Sequence, residues 1–195
     1  VYSENTTTEF PVWTYYSQPI DFADAETFPW GGIGFIQGLP ITAEEYNITY
    51  DASIGGGFVW ITSWAGGLRR YKISDGSWER VPTPEDDKLT LITCADSSYE
   101  MVDGKKILKN FYMNPRDPID GGNHNHKAFS VLAYSDTVWV GTANGINRGI
   151  IGNQGCIDWQ HYAYPFENLS GNFVVSIAKQ SWNSQRIIWA ATMNA

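Results

Sequence analysis

The 195-residue sequence has no apolar run approaching the ~18–20 residues that a membrane-spanning helix needs. It also has no window longer than about one turn with apolar residues at helical spacing, the best being Thr42 to Asn47. Charge is scarce, with Asp, Glu, Lys and Arg together making up 17% of the chain. The thirteen basic residues never run longer than Arg69-Arg70 or Lys105-Lys106, and the formal net charge is −8. That balance argues against a surface that reads phosphate backbones, so no nucleic-acid partner is expected. The two cysteines, Cys94 and Cys156, allow one disulfide and demand none. Neither belongs to a Cys-x-x-Cys pair, which removes zinc-ribbon, redox-motif and c-type haem readings; no cofactor is expected. The chain opens on Val1 rather than Met, which reads as processing or truncation.

Aromatics and glycine are plentiful: 15% Phe, Trp and Tyr, nine Trp and 19 Gly. This composition favours strands and tight turns. One stretch recurs. Val59-Trp60-Ile61-Thr62-Ser63-Trp64-Ala65-Gly66-Gly67-Leu68 is a buried strand running into a glycine turn. It returns as Val138-Trp139-Val140-Gly141-Thr142-Ala143-Asn144-Gly145-Ile146, and begins again as Ile188-Trp189-Ala190-Ala191-Thr192-Met193-Asn194-Ala195. In each copy a β-branched residue precedes Trp, a hydroxyl residue lies three positions on, and Gly or Ala lies six on. Such self-similarity marks a repeat architecture.

Further strands flank these copies. Ahead of it lie Ile48 to Ala52, Phe129 to Ala133 and Val174 to Ala178. After the first copy, Leu68 to Ile73 alternates apolar and polar residues and ends at the hairpin signal Ser74-Asp75-Gly76. A last strand carries Trp78 or Trp159, and Phe10 to Tyr16 with Trp13 resembles it. The unit is therefore four short antiparallel strands, A to D, and serial four-stranded units are β-propeller blades. The expected class is all-β, a segment of a propeller. Residues 46–83 and 127–163 are blades, 173–195 starts a further one, and 10–16 is the last strand of a preceding one. Val1 to Glu9 reads as a loop.

Trp60 and Trp139 are 79 residues apart, whereas Trp139 and Trp189 are 50 apart; blades of this kind take roughly 40–50 residues. Residues 84–126 are accordingly a long insertion or a degenerate blade, with insertion preferred. A second connector, 17–45, is rich in Pro, Gly and aromatics and reads as an ordered loop rather than a disordered linker. Two or three full units plus partial ones fall short of the ~4–8 blades that close a propeller, so the chain reads as part of a longer one whose remaining blades or neighbouring domains are its expected partners.

At Val59 to Tyr71, Val138 to Arg148 and Leu169 to Ala178 the sequence resembles the repeat of the two-component-regulator propeller family. The resemblance covers Tyr46 to Pro82 and Lys127 to the end, and leaves out both connectors. Propellers of that family are periplasmic or extracellular. They serve as sensor regions of hybrid histidine kinases, with relatives in type IX secretion and surface proteins. The resemblance implies a binding or scaffold module in the bacterial envelope, with a protein, small-molecule or glycan ligand, and it carries over no catalytic residue.

The repeat residues Trp60, Trp139, Trp189, Trp13, Trp78 and Trp159 are read as structural core, and Ser63, Thr142 and Thr192 as hydrogen-bonding groups near strand ends. His124-Asn125-His126 would put two imidazoles on one face of an extended chain, yet only Asp117 and Asp120 are near as further ligands, so no metal site is expected. Asn5, Asn47 and Asn168 head glycosylation-type sequons. Both long connectors are D-to-A links, which share a propeller face with the B-to-C turns, and loops on a rigid scaffold are where binding usually resides. The candidate binding face is Trp30, Phe35, Trp64, Tyr99, Phe111, Tyr112 and His124, and the expected function is non-catalytic. The alternative is a sialidase-like propeller glycoside hydrolase with its site partly outside this segment. Ser74-Asp75-Gly76-Ser77-Trp78 resembles an Asp-box turn, but its Asp follows Ser directly and Gly follows that Asp directly.

Overall fold

The computed structural model describes residues 2–3, 12–31, 33–43, 48–114, 122–166 and 169–193. The chain is all-β: among the described residues there is no α-helix, and no sheet closes into a barrel. The described residues form seventeen strands, numbered in chain order. The first pair, β1 (Tyr2–Ser3) and β2 (Val12–Trp13), is antiparallel. Part of the stretch expected to be a loop is thus a strand, because the aromatic segment at 12–13 needs a backbone partner.

The first blade-like sheet runs in order through β5 (Asp51–Gly55), β6 (Phe58–Ser63), β7 (Gly67–Lys72) and β8 (Trp78–Arg80). Its first strand starts and ends three residues later than the sequence suggests. Gly55 belongs to the strand rather than the turn, because sheet packing requires it: a Cβ there would lie 2.8 Å from backbone atoms of Ala133 and Tyr134. The second sheet is β12 (Ala128–Tyr134), β13 (Thr137–Thr142), β14 (Gly145–Ile151) and β15 (Ile157–Tyr162), with β9 (Thr90–Ile92) added outside β15. Gly145 opens β14 at φ 95°, and a Cβ there would meet the Tyr162 carbonyl at 2.1 Å, so this position of the repeat accepts only glycine. The last unit is the hairpin β16 (Phe173–Trp182) and β17 (Gln185–Met193).

The leading strands β5, β12 and β16 lie side by side and are stitched together. Asp51 Oδ2 accepts from Val131 N at 2.9 Å, and Ser53 Oγ accepts from Ala133 N at 2.9 Å. Ser130 Oγ donates to the Val174 carbonyl at 3.1 Å. Small polar side chains on the innermost strand thus set the blade-to-blade spacing.

The two connectors do something the sequence did not suggest. β3 (Thr27–Trp30) and β4 (Gly34–Gly38) come from the first connector, and β10 (Tyr99–Val102) and β11 (Lys105–Met113) from the second. They build one four-stranded sheet, ordered β10-β11-β4-β3, in which β11 and β4 are parallel. Within 84–126, the described residues give one strand, β9, to the second sheet and the hairpin β10–β11 to this shared one. Trp30, Ile36, Tyr99, Leu108, Phe111 and Met113 from the shared sheet join Trp60, Leu68, Val131, Val138, Val140 and Trp159 in one hydrophobic cluster. Cys94 and Cys156 are bonded, with their Cα atoms 5.6 Å apart, tying the second connector to the turn before β15.

Candidate functional site

The repeat tryptophans fall into three classes. Trp60 and Trp159 are 0% exposed, and Trp139 and Trp78 are half-buried. Trp189 is 59% exposed and so departs from the core role expected of it. The indole faces the side of its sheet that the next sheet covers, and no described sheet lies beyond β17. The side chain of Trp13 lies outside the described residues.

The seven candidate binding residues separate in the same way. Trp30, Tyr99 and Phe111 are buried and serve the core. Trp30 lies under the Arg70 guanidinium at 4.5 Å, and Phe111 packs on the His126 ring at 4.5 Å. The Tyr99 hydroxyl donates to the Thr93 carbonyl, and burial pushes it up to about 12. Their aromatic character signalled an inner face rather than a contact face. Phe35 is half-buried, with the Lys105 ammonium 5.4 Å from its ring centroid. Trp64 and Tyr112 are partly exposed at separate places. Of the seven, only His124 lines the cleft formed by the second connector, the β13–β14 turn and the 163–172 link.

That cleft has a volume of about 560 Å³ and is lined by Asp86, His124, Ala143, Asn144, Tyr164, Ser170, Gly171, Asn172 and Phe173. It joins a B-to-C turn (Ala143, Asn144), a D-to-A link (Tyr164, Ser170 to Asn172) and the second connector (Asp86, His124), and takes no residue from the first connector. Its parts are tightly held. Asp86 Oδ2 accepts from His124 N at 2.9 Å and lies 3.3 Å from His124 Nδ1, while Oδ1 accepts from Asn125 N at 2.6 Å. One carboxylate thus caps the 124–126 turn and orients its first imidazole. Asn144 donates through Nδ2 to the Asp86 carbonyl at 3.3 Å. Across the cleft, Asn172 Oδ1 accepts from Tyr164 N at 2.7 Å, and the Asn172 carbonyl accepts from Gly145 N at 2.7 Å. Below it, one ring nitrogen of buried His161 lies 3.0 Å from the Lys88 carbonyl and the other 2.5 Å from the Asn144 carbonyl.

Asn125 is fully buried and locks the connector to the blade. Its Nδ2 donates to the Pro84 carbonyl at 2.7 Å and to Asn147 Oδ1 at 3.0 Å, and its Oδ1 accepts from Asn147 Nδ2 at 2.7 Å and Thr142 Oγ1 at 2.9 Å. Thr142, the hydroxyl of the repeat motif, therefore serves this network.

The two histidines do not share a face, because residues 124–126 form a 3₁₀ turn rather than a strand. His126 is buried, its Nε2 3.0 Å from the Thr83 carbonyl, and burial pushes its pKa down to about 4. No group of three or more potential metal ligands occurs among the described residues, and Asp117 and Asp120 lie outside them. Ser74 to Ser77 forms the β7–β8 turn: Asp75 Oδ1 accepts from Ser77 N at 3.0 Å, and the carboxylate pairs with Lys72 at 2.5 Å. That is turn chemistry. Asp86, Tyr164 and Asn172 escaped the sequence reading. Asp86 and His124 are 38 positions apart, and no local pattern links them.

No family model and no curated protein matches the chain. Among solved structures it is similar to the computationally designed Ika4 protein, with 10% identity and a TM-score of 0.27 over 80% of this chain and 96% of that one. It is also similar to the extracellular domain of a one-component system from B. thetaiotaomicron, with 15% identity and a TM-score of 0.21, covering 75% of this chain and 26% of that one. At these scores neither likeness bears on what the chain does.

Proposed function

We propose that this chain is a non-catalytic, extracytoplasmic binding module that takes its ligand in the cleft between Asp86–His124 and Tyr164–Phe173. The single observation that carries this reading is the convergence of three loops, one B-to-C turn and two D-to-A links, on one cleft at the blade face, with its polar groups fixed by hydrogen bonds to one another. Preorganised polar groups beside aromatic walls are the usual make-up of a ligand pocket. Among the described residues the lining holds no Lys or Arg and presents amide, hydroxyl and carboxylate groups beside Tyr164 and Phe173, which favours an uncharged, hydroxyl-rich ligand; a saccharide is the small-molecule class that fits. The Cys94–Cys156 bond supports a location in an oxidising compartment.

The test is an array of neutral oligosaccharides probed with the full chain, followed by calorimetry on each hit. Tyr164→Ala and His124→Ala are expected to weaken binding at least tenfold each with the unfolding temperature preserved. Hits that both variants bind as tightly as the parent protein would remove the cleft from consideration. Excising 97–110 is unsuited to this purpose, because it would take Tyr99, Ile107 and Leu108 out of the core.

A further inference from the structure

We infer that a second cavity, bounded by β7, β8 and the 19–29 segment, is a site for a small oxyanion, a carboxylate or sulfate, held by Arg69 and Arg80. Strand alternation sends Arg69 and Arg70 of β7 to opposite faces. Arg70 has a carboxylate of its own, since its Nε donates to Glu79 Oε2 at 2.6 Å. Arg69 pairs across the ladder with Arg80 of β8, so two guanidinia lie on one face of adjacent strands. Like charges placed this way repel, and both residues are buried, at 2% and 6% exposure.

One carboxylate serves both. Asp21 Oδ1 accepts from Arg69 Nη2 at 3.3 Å, and Asp21 Oδ2 accepts from Arg80 Nη2. The same Oδ2 also accepts from Ile41 N at 3.0 Å and Thr42 N at 2.8 Å. Asp21 is thus shared among four donors, and among the described residues it is the one carboxylate that pairs with Arg69 and Arg80. The Nε atoms of Arg69 and Arg80 are both buried without a hydrogen-bond partner. A positive charge in so dry a place is costly unless an anion compensates it. Burial and the neighbouring Arg80 together bring Arg69 down to about 10, which agrees with a surplus of positive charge.

Space exists beside this surplus. Arg69, Arg80, Asp21, Phe28 and Trp78 line a cavity of about 240 Å³, large enough for a carboxylate-bearing group. The Arg80 guanidinium lies 3.9 Å from the Phe28 ring centroid. Guanidinium forks recognise planar carboxylates and sulfate by paired charge-assisted hydrogen bonds. Ile20 and Phe22, both largely exposed, are on the same wall.

The experiment follows thermal unfolding of the full chain as sodium acetate or sodium sulfate is titrated in, with ionic strength held by sodium chloride. Binding to the folded state raises the midpoint in a saturable way, and comparison of the two salts tells which oxyanion geometry the site takes. Arg69→Gln is expected to abolish the response. Because that variant could also lose its fold, Phe22→Asp is the second arm. It leaves both arginines in place and offers a carboxylate beside the cavity. It is expected to raise the midpoint without added salt and to weaken acetate binding at least tenfold. A midpoint that neither salt shifts beyond chloride, or a saturable shift that Phe22→Asp leaves unchanged, overturns the proposal.

Discussion

Trp60 and Trp189 occupy the same place in the repeat and live in opposite surroundings. Trp60 is 0% exposed, its Nε1 donates to the Gly55 carbonyl at 3.0 Å, and its ring packs edge-on against Phe58 at 5.6 Å. Beyond it lie the second sheet and the shared connector sheet. Trp189 donates to Gln180 Oε1 at 2.9 Å on its own hairpin, which also exposes Trp182 and Met193, and is otherwise open. Trp139 stands between them, half-buried, with the Tyr134 hydroxyl 3.3 Å from its Nε1 and Tyr162 stacked at 6.4 Å. The motif therefore encodes a strand, a turn and the face its indole takes. The layer that comes next decides how much that indole contributes to stability.

The sharpest way to break this comparison is Trp60→Ala. Removing a fully enclosed indole leaves a cavity and deprives the Arg70 guanidinium, 5.7 Å from the ring centroid, of one of its aromatic neighbours. The expected loss is about 5 kcal/mol, read as a lower urea midpoint. A loss no greater than that from Trp189→Ala would mean that burial in this sheet does not govern stability.

Next in size is the tether that holds the connector against the enclosed side. Replacing Cys94 and Cys156 together by Ser opens a loop with a sequence separation of 62. Chain-entropy reasoning puts the loss at about 4 kcal/mol, measured by denaturant unfolding against the oxidised parent. Were the double variant as stable as the parent, β9 and the Ile157 contacts would be holding the connector without the bond.

His126 reports the same enclosure through pH. Burial lowers its pKa to about 4 from the ordinary 6.5, so the unfolded chain takes up the proton first as the solution is acidified. Its contribution is complete above pH 6.5 and is lost as pH falls from there towards 4. The full span is on the order of 3 kcal/mol. His126→Gln, which keeps a donor near the Thr83 carbonyl, is expected to flatten that part of the stability–pH curve. A curve of unchanged slope between pH 6.5 and 4 would show that other groups cause the acid sensitivity.

These variants also mark what was legible in the sequence. The strands of the first two repeat units were readable, because Trp-centred alternation and turns such as Ser74-Asp75-Gly76 and Asn144-Gly145 are local. The cleft was legible only in part: strand order puts B-to-C turns beside D-to-A links, but the cleft takes residues from the second connector and none from the first. The connector sheet was not. Its central pairing joins Phe35 to Ile107 and Gln37 to Tyr112 in parallel, and parallel pairing between distant hairpins leaves no trace in either one. For the same reason Trp30, Tyr99 and Phe111 read as contact residues when they are core, and Asp86 went unnoticed until the fold set it beside His124.

The smallest effect completes the comparison. Trp189→Ala removes an exposed ring held by one hydrogen bond within its hairpin, so the expected loss is below about 1 kcal/mol. Part of that comes from the cross-strand contact with Ala178, its ladder partner. Trp189→Arg sharpens the point. A charged residue is tolerated where water reaches the face, but it would be costly wherever a further sheet lies on it. Near-neutral stability for both variants in the isolated chain agrees with an open face. A loss of several kcal/mol from Trp189→Arg in that chain would mean the face is covered in solution, and that Trp189 is a buried repeat residue like Trp60.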